Sequence, residues 1–224
     1  MTDTSTAVLA HNIVTLAESV YHRGWLPGTA GNISARAGDD RALITGSGLS
    51  KGELTARDLV PVRISDSASV EPTLRRPSAE STIHTAVYRT TGCGAVVHAH
   101  SPFATAMSAR YGRPDELATV PFRDYELLKG FGLADPAHCS VPVFPNWVEV
   151  LRIARDVEHY LDGHATAPPV LLIAGHGATS WGRDLAQARD RMECLEALCE
   201  LVVHTGSPQL WAMAGRTVSG EQER

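Results

Sequence analysis

The sequence is sparing in cysteine and in aromatic side chains, with four cysteines and 6% Phe, Trp and Tyr among 224 residues. Cys93, Cys139, Cys194 and Cys199 form no CxxC pair and lie in apolar or helical stretches, so they read as small reduced core residues, not as a disulfide framework. Positive charge is not in excess: 20 Lys and Arg stand against 25 Asp and Glu, a net charge of −5 that argues against a non-specific nucleic-acid binder. No apolar run approaches the roughly eighteen residues of a membrane span. The opening Met1-Thr-Asp-Thr-Ser-Thr has no basic segment leading into an apolar one. The expectation is a soluble, cytoplasmic protein that engages neither membrane nor nucleic acid. Also missing are a Walker loop, a GxGxxG after a strand, a GxSxG elbow and a cysteine with an evident base partner, which removes support for nucleotide binding and for covalent catalysis.

What is present is a chain of ordinary globular composition, 43% hydrophobic and 20% charged. It is long enough for one domain over 1–224, with a core at about 7–205, that hides roughly 70% of its surface without staples. A metal in such a chain is free to be catalytic. Apolar spacing predicts a helix over 7–23 ending at Gly24, a hairpin from 32–36 and 41–45, and a strand over 59–64 followed by a strand-like 70–73. A helix opening at 77–80 with Ser78 as its cap runs to about Thr91. A buried strand over 93–100 then enters a helix over 103–109. Further along, the pattern gives a short helix over 125–131, a strand over 140–144, a helix over 148–161, a buried strand before Gly175 and a long final helix. A polar tail from about 215 reads as frayed. Hairpin strands first and strand–helix alternation later suggest an α/β sandwich with a mixed or mainly antiparallel sheet.

His98-Ala99-His100 is the sharpest chemical feature, because side chains two apart on a strand project from one face. His176, in Gly175-His176-Gly177, stands where another apolar strand gives way to a glycine-flanked turn. Three imidazoles leave a divalent cation its full charge and an open position, the arrangement that polarises a carbonyl. The other histidines, His11, His22, His84, His138, His159, His164 and His204, read as structural or solvated. Glu80 and Glu126 are the carboxylates best placed in the sequence to move protons beside such an ion.

Small and hydroxylic residues recur in Gly28-Thr29-Ala30-Gly31-Asn32, in Thr45-Gly46-Ser47-Gly48 and at Ser78. Glycines let backbone N–H groups approach an oxyanion, Asn and Ser add neutral donors, and Lys51 supplies positive charge, so together these segments suit a phosphate. Phe122, Phe131, Trp147 and Trp181 offer an apolar wall for a ligand, with core or interface packing as the plainer expectation.

In this order, a GTAGN-like loop, a TxxG-like loop, Ser-x-Glu, HxH and a later His-Gly resemble the class II aldolase/adducin family over about 7–205. The resemblance implies an αβα sandwich, a cyclic homotetramer and one Zn²⁺ per subunit held by His98, His100 and His176. It also implies phosphate contacts from Asn32, Ser47, Gly48 and Ser78, with Lys51 beside them. Ala79 stands where the family often has a second hydroxyl. Within the family, Glu126-Leu127-Leu128-Lys129-Gly130, Val141-Pro142-Val143-Phe144-Pro145-Asn146 and His176-Gly177-Ala178-Thr179-Ser180-Trp181-Gly182 are most similar to the methylthioribulose-1-phosphate dehydratases of methionine salvage. That likeness implies a lyase with Glu126 as general acid/base. Glu80, where some of these dehydratases have Cys, matches the acid/base of the family's aldolases. An aldolase or decarboxylase of another sugar phosphate, and a metal-free adducin-like interaction module, are the alternatives.

Overall fold

The computed structural model describes residues 4–70 and 75–207. Its strands are β1 (Asn32–Gly38), β2 (Arg41–Thr45), β3 (Leu59–Arg63), β4 (Ala95–Ala99), β5 (Ala118–Arg123), β6 (His138–Phe144), β7 (Val170–Ile173) and β8 (Gly177–Gly182). The helices are α1 (Thr4–His22), α2 (Ser81–Thr91), α3 (Pro102–Tyr111), α4 (Val150–Gly163) and α5 (Leu185–Thr205). All eight strands form one sheet in the order β3-β2-β1-β4-β8-β7-β6-β5. Every neighbouring pair is antiparallel except β6 and β7.

Alternation along the central strands builds two cores. Val97 and Leu172 face a layer containing Ile13 of α1, Met107 of α3 and Met192 of α5. Val96 and Leu171 face the opposite layer, where Ile83 and Val87 of α2 meet Ile153 and Val157 of α4. Each such aliphatic side chain contributes about 1.5–3 kcal/mol on burial, which is why the sheet is covered on both faces. The αβα sandwich with a mixed, mainly antiparallel sheet is therefore the observed architecture.

Several local expectations need correction. Two strands escape the apolar pattern. β5 contains Pro121 and is an edge strand, where a missing N–H is tolerated. β8, Gly-Ala-Thr-Ser-Trp-Gly, is built mostly of small residues, and the sequence pattern marks no strand there beyond the glycine-flanked turn at 175–177. Ser78 does not cap α2: Glu80 occupies the N-cap, and the Ser78 hydroxyl accepts from Glu80 N at 3.3 Å and Asn32 Nδ2 at 3.1 Å, organising the approach to the helix. The short helix near 125–131 is a 3₁₀ helix, Glu126–Phe131. Val70 is a bend, and the rest of the strand-like 70–73, like the tail from 215, lies outside the described residues.

Candidate metal centre

β4 carries His98 at its penultimate position and delivers His100 just beyond its end. Its antiparallel neighbour β8 starts at Gly177, so His176 arrives at the same end of the sheet. Close backbone approach makes this work: a Cβ on Gly177 would lie 2.4 Å from Ala99 O. On the other side of β4, Gly31 has φ +70° and its Cβ would lie 2.8 Å from His98 O, so only glycine lets this loop pass into β1 and set Asn32 opposite His98.

One ligand atom from each of Glu80, His98, His100 and His176 lies within 4.8 Å of all the others. The Nε2 atoms of His98 and His100 are 3.1 Å apart, and the three rings stand nearly perpendicular, at 79–81°. Glu80 Oε1 is 2.8 Å from His176 Nε2, and its Oε2 is 3.4 Å from His98 Nε2 while accepting from Asn32 Nδ2 at 2.5 Å. Thr179 Oγ1, from β8, lies 3.0 Å from His98 Nδ1 and so turns the Nε2 of that ring inward.

Burial pushes His98 down; it also pushes His100 down to about 4, helped by the neighbouring His98 and His176. Both rings are therefore neutral near pH 7, the state a metal ligand requires. Burial works to raise the Glu80 carboxyl, but the adjoining His98 and His176 rings and the Asn32 amide hydrogen bond outweigh it and hold the group well below the usual carboxylate range. Facing lone pairs on neutral imidazoles repel unless a cation lies between them. Three imidazole nitrogens with an ionised carboxylate are a donor set that fits a divalent ion of the zinc type. His98, His100 and His176, with Glu80 beside them, would hold it.

A cavity of about 190 Å³ adjoins the cluster and is lined by Asn32, Ser47, Gly48, Lys51 and Ser78 together with Glu80 and His100. Asn32, Ser47, Gly48, Lys51 and Ser78, drawn from separate loops, thus reach one space. Lys51 is 2% exposed and donates from Nζ to Thr29 O and Leu49 O, each at 2.8 Å. Burial lowers its ammonium to about 8, against a smaller opposing pull from Glu80. A groove of about 880 Å³ between α1 and the start of α5 is far larger but contains none of these residues. Chemistry, not size, marks the site.

Glu126 is not brought to the cluster. Its side chain is 83% exposed, pairs with Lys129 Nζ at 2.7 Å, and does not line the cavity. Phe122, Phe131 and Trp181 are core residues, and Trp147 packs at the edge of the second core beneath Arg152. Local spacing assigns no site role to Thr179 or to Glu196. Buried Glu196 accepts from Ser101 Oγ at 2.6 Å, Phe103 N at 2.9 Å and Ala104 N at 2.8 Å, anchoring the turn that follows His100. Its signal was a carboxylate interrupting the apolar stripe of α5 beside Leu195 and Cys199.

Residues 11–203 match the class II aldolase and adducin N-terminal domain. A Nocardia farcinica protein named "Probable bifunctional methylthioribose-1-phosphate isomerase/methylthioribulose-1-phosphate dehydratase" is 58% identical over 89% of this chain, which spans only 36% of that relative's length. The methylthioribulose-1-phosphate dehydratase of Methylococcus capsulatus is 39% identical, covering 90% of this chain and 96% of its own. Among solved structures, the l-fuculose-1-phosphate aldolase of Thermus thermophilus superimposes with a TM-score of 0.69 at 29% identity, over 94% of this chain and 98% of that one.

Proposed function

Because the chain belongs to the class II aldolase and adducin family, we propose that it dehydrates 5-methylthioribulose 1-phosphate to 2,3-diketo-5-methylthiopentyl 1-phosphate. In this reading it serves methionine salvage as a cytoplasmic homotetramer with one Zn²⁺ per subunit. The observation that carries the reading is the convergence of His98, His100, His176 and Glu80 beside the cavity lined by Asn32, Ser47, Gly48, Lys51 and Ser78. Likeness to the Methylococcus dehydratase over 90% of the chain selects the reaction.

A bound divalent cation supplies Lewis-acid polarisation of the substrate C2 carbonyl, which acidifies the C3 proton. The phosphate is anchored in the cavity by neutral donors from Asn32, Ser47 and Ser78, by the Gly48 backbone and by the Lys51 charge. The Glu126 carboxylate takes the C3 proton, then returns a proton to the C4 hydroxyl, which departs as water; the remaining enol ketonises to the diketone. Since Glu126 stands exposed and away from its own cluster, it acts on the site of an adjoining subunit, and the tetramer is what completes the site. Glu80 orients the substrate hydroxyls.

Turnover of methylthioribulose 1-phosphate, followed by diketone formation before chelation, after it and after Zn²⁺ is restored, tests the proposal. Metal-loaded protein that forms no diketone would refute it. The second reading, an aldolase or decarboxylase of another sugar phosphate, is favoured by the aldolase-like carboxylate Glu80 in the donor set. Release of an aldehyde or carbon dioxide from such a substrate, without diketone from the first, would establish it.

A further inference from the structure

A ladder of polar side chains joins the strand and the helix that carry the site. β1 sets Asn32, Ser34 and Arg36 at two-residue intervals, while α2 and its N-cap set Glu80, His84 and Tyr88 at four-residue intervals. Four residues of helix rise about 6 Å and two residues of strand about 6.7 Å, so successive rungs stay aligned. Asn32 Nδ2 donates to Glu80 at 2.5 Å. Ser34 Oγ lies 2.7 Å from His84 Nδ1 and 2.8 Å from the Tyr88 hydroxyl. Arg36 Nη2 donates to Tyr88 O at 3.1 Å, with its guanidinium 5.1 Å from the centre of that ring. Ser34, His84 and Tyr88 are each 1% exposed, set among Ile83, Val87 and Val96. Polar groups this deep in an apolar layer are costly unless paired.

The hydroxyl of Ser34 can donate to one of its two partners and accept from the other. A run of donors from the Tyr88 phenol to Ser34 and from Ser34 to His84 Nδ1 fits both contacts, and in that run the ring proton of His84 stands on Nε2. That Nε2 has no protein partner, and neither has Asn32 Oδ1, although both atoms are buried. One open donor and one open acceptor thus stand on adjacent rungs of one ladder.

We propose that His84 is a positioning residue for the cation site: its Nε2–H holds the Asn32 carbonyl oxygen through one enclosed water, and so keeps the Asn32 amide turned with its NH₂ toward Glu80 and Ser78. Without that donor the amide is free to turn over and present its oxygen to the Glu80 carboxylate, repelling the group it now holds. Burial lowers His84 to about 3, with His98 adding to the effect and Glu80 opposing it, so the ring is neutral and has a single proton to place. The effect on the cation rests on the reading of Glu80 as part of that site; the tautomer does not.

The test uses the full chain with ring-¹⁵N histidine. Two-bond ¹H–¹⁵N spectra at neutral pH give the His84 tautomer, and competition with a chromogenic chelator gives Zn²⁺ affinity. The expected result is an Nε2-protonated His84. With folding verified by circular dichroism, His84→Phe should bind Zn²⁺ about ten- to a hundredfold more weakly. His84→Gln, whose amide N–H can take the place of Nε2–H, should recover most of the loss. An Nδ1-protonated His84, or a folded His84→Phe protein that binds Zn²⁺ as tightly as the unsubstituted chain, would overturn the proposal. Should His84→Phe fail to fold, the tautomer decides alone. Nε2 protonation in a chain that binds no Zn²⁺ would sink the cation reading and still support the Asn32 contact.

Discussion

The Glu80 carboxylate lies 2.8 Å from the Nε2 of His176 although the two residues are far apart along the chain, one at the start of α2 and the other just before β8. This contact makes Glu80 part of the donor cluster as well as a neighbour of the cavity. Glu80→Gln removes the charge and keeps the shape. Zn²⁺ affinity, measured by chelator competition, should fall about ten- to a hundredfold; an unchanged affinity would place the carboxylate outside the cation's reach.

Removing the cation should loosen the fold as well as stop the reaction. A ligand that binds only the native state stabilises it by about 2.7 kcal/mol at a hundred times its Kd. For a domain of this size each kcal/mol moves the thermal midpoint by about 2–4 °C. Thermal unfolding with Zn²⁺ and after chelation should therefore differ by several degrees, and coincident curves would count against a native cation site.

Acid should weaken the metal-free protein in a defined interval. Burial depresses His100 to about 4 and His84 to about 3, whereas an unfolded imidazole titrates near 6.5. Between those values the unfolded chain binds protons that the folded one does not. Stability present above about pH 6.5 is thus lost progressively as pH falls toward 4 and then 3. Denaturant midpoints measured across this interval should decline with pH, and a flat series would contradict the assignment.

Lys51 should act on phosphate binding more than on the chemical step. Lys51→Met removes the one cationic side chain among the residues lining the cavity and should raise KM roughly ten- to a hundredfold with a smaller change in kcat. Because burial lowers its ammonium to about 8, affinity for a phosphorylated substrate should also fall as pH rises through that value in the unsubstituted protein. Steady-state kinetics across the alkaline range checks both.

Glu126→Gln should abolish dehydration while leaving Zn²⁺ affinity and thermal stability unchanged, since its side chain is 83% exposed. Mixing it with an inactive His98→Ala protein under conditions that exchange subunits should restore activity, because some sites then combine an intact cluster with an intact Glu126 from another chain. A mixture as inactive as its components would assign Glu126 no role across subunits.

How much of this was legible in the sequence follows from how local each signal is. His98 and His100 were visible because strand alternation is a two-residue rule, and Asn32, Ser47 and Ser78 because turn chemistry is written in short glycine and hydroxyl motifs. β8 was illegible because close approach to β4 demands small residues and so erases the branched apolar pattern that marks a strand. Pro121 hid β5 for a different reason, since only edge position excuses it. Thr179, Glu196 and His84 act on residues far away in the chain, and no local spacing announces such partners. Glu126 was singled out as a carboxylate and then by resemblance; its exposure became visible only in three dimensions.

The pairing of β4 with β8 fixes the hinge-free distance between His100 and His176 through a single seam of hydrogen bonds. All of the intervening polypeptide hangs from that seam as an excursion that leaves it and comes back. The loop over 112–117, which begins at Gly112 close against Ala174, can therefore lengthen, shorten or change composition at this end of the sheet, while the imidazole grip stays in place.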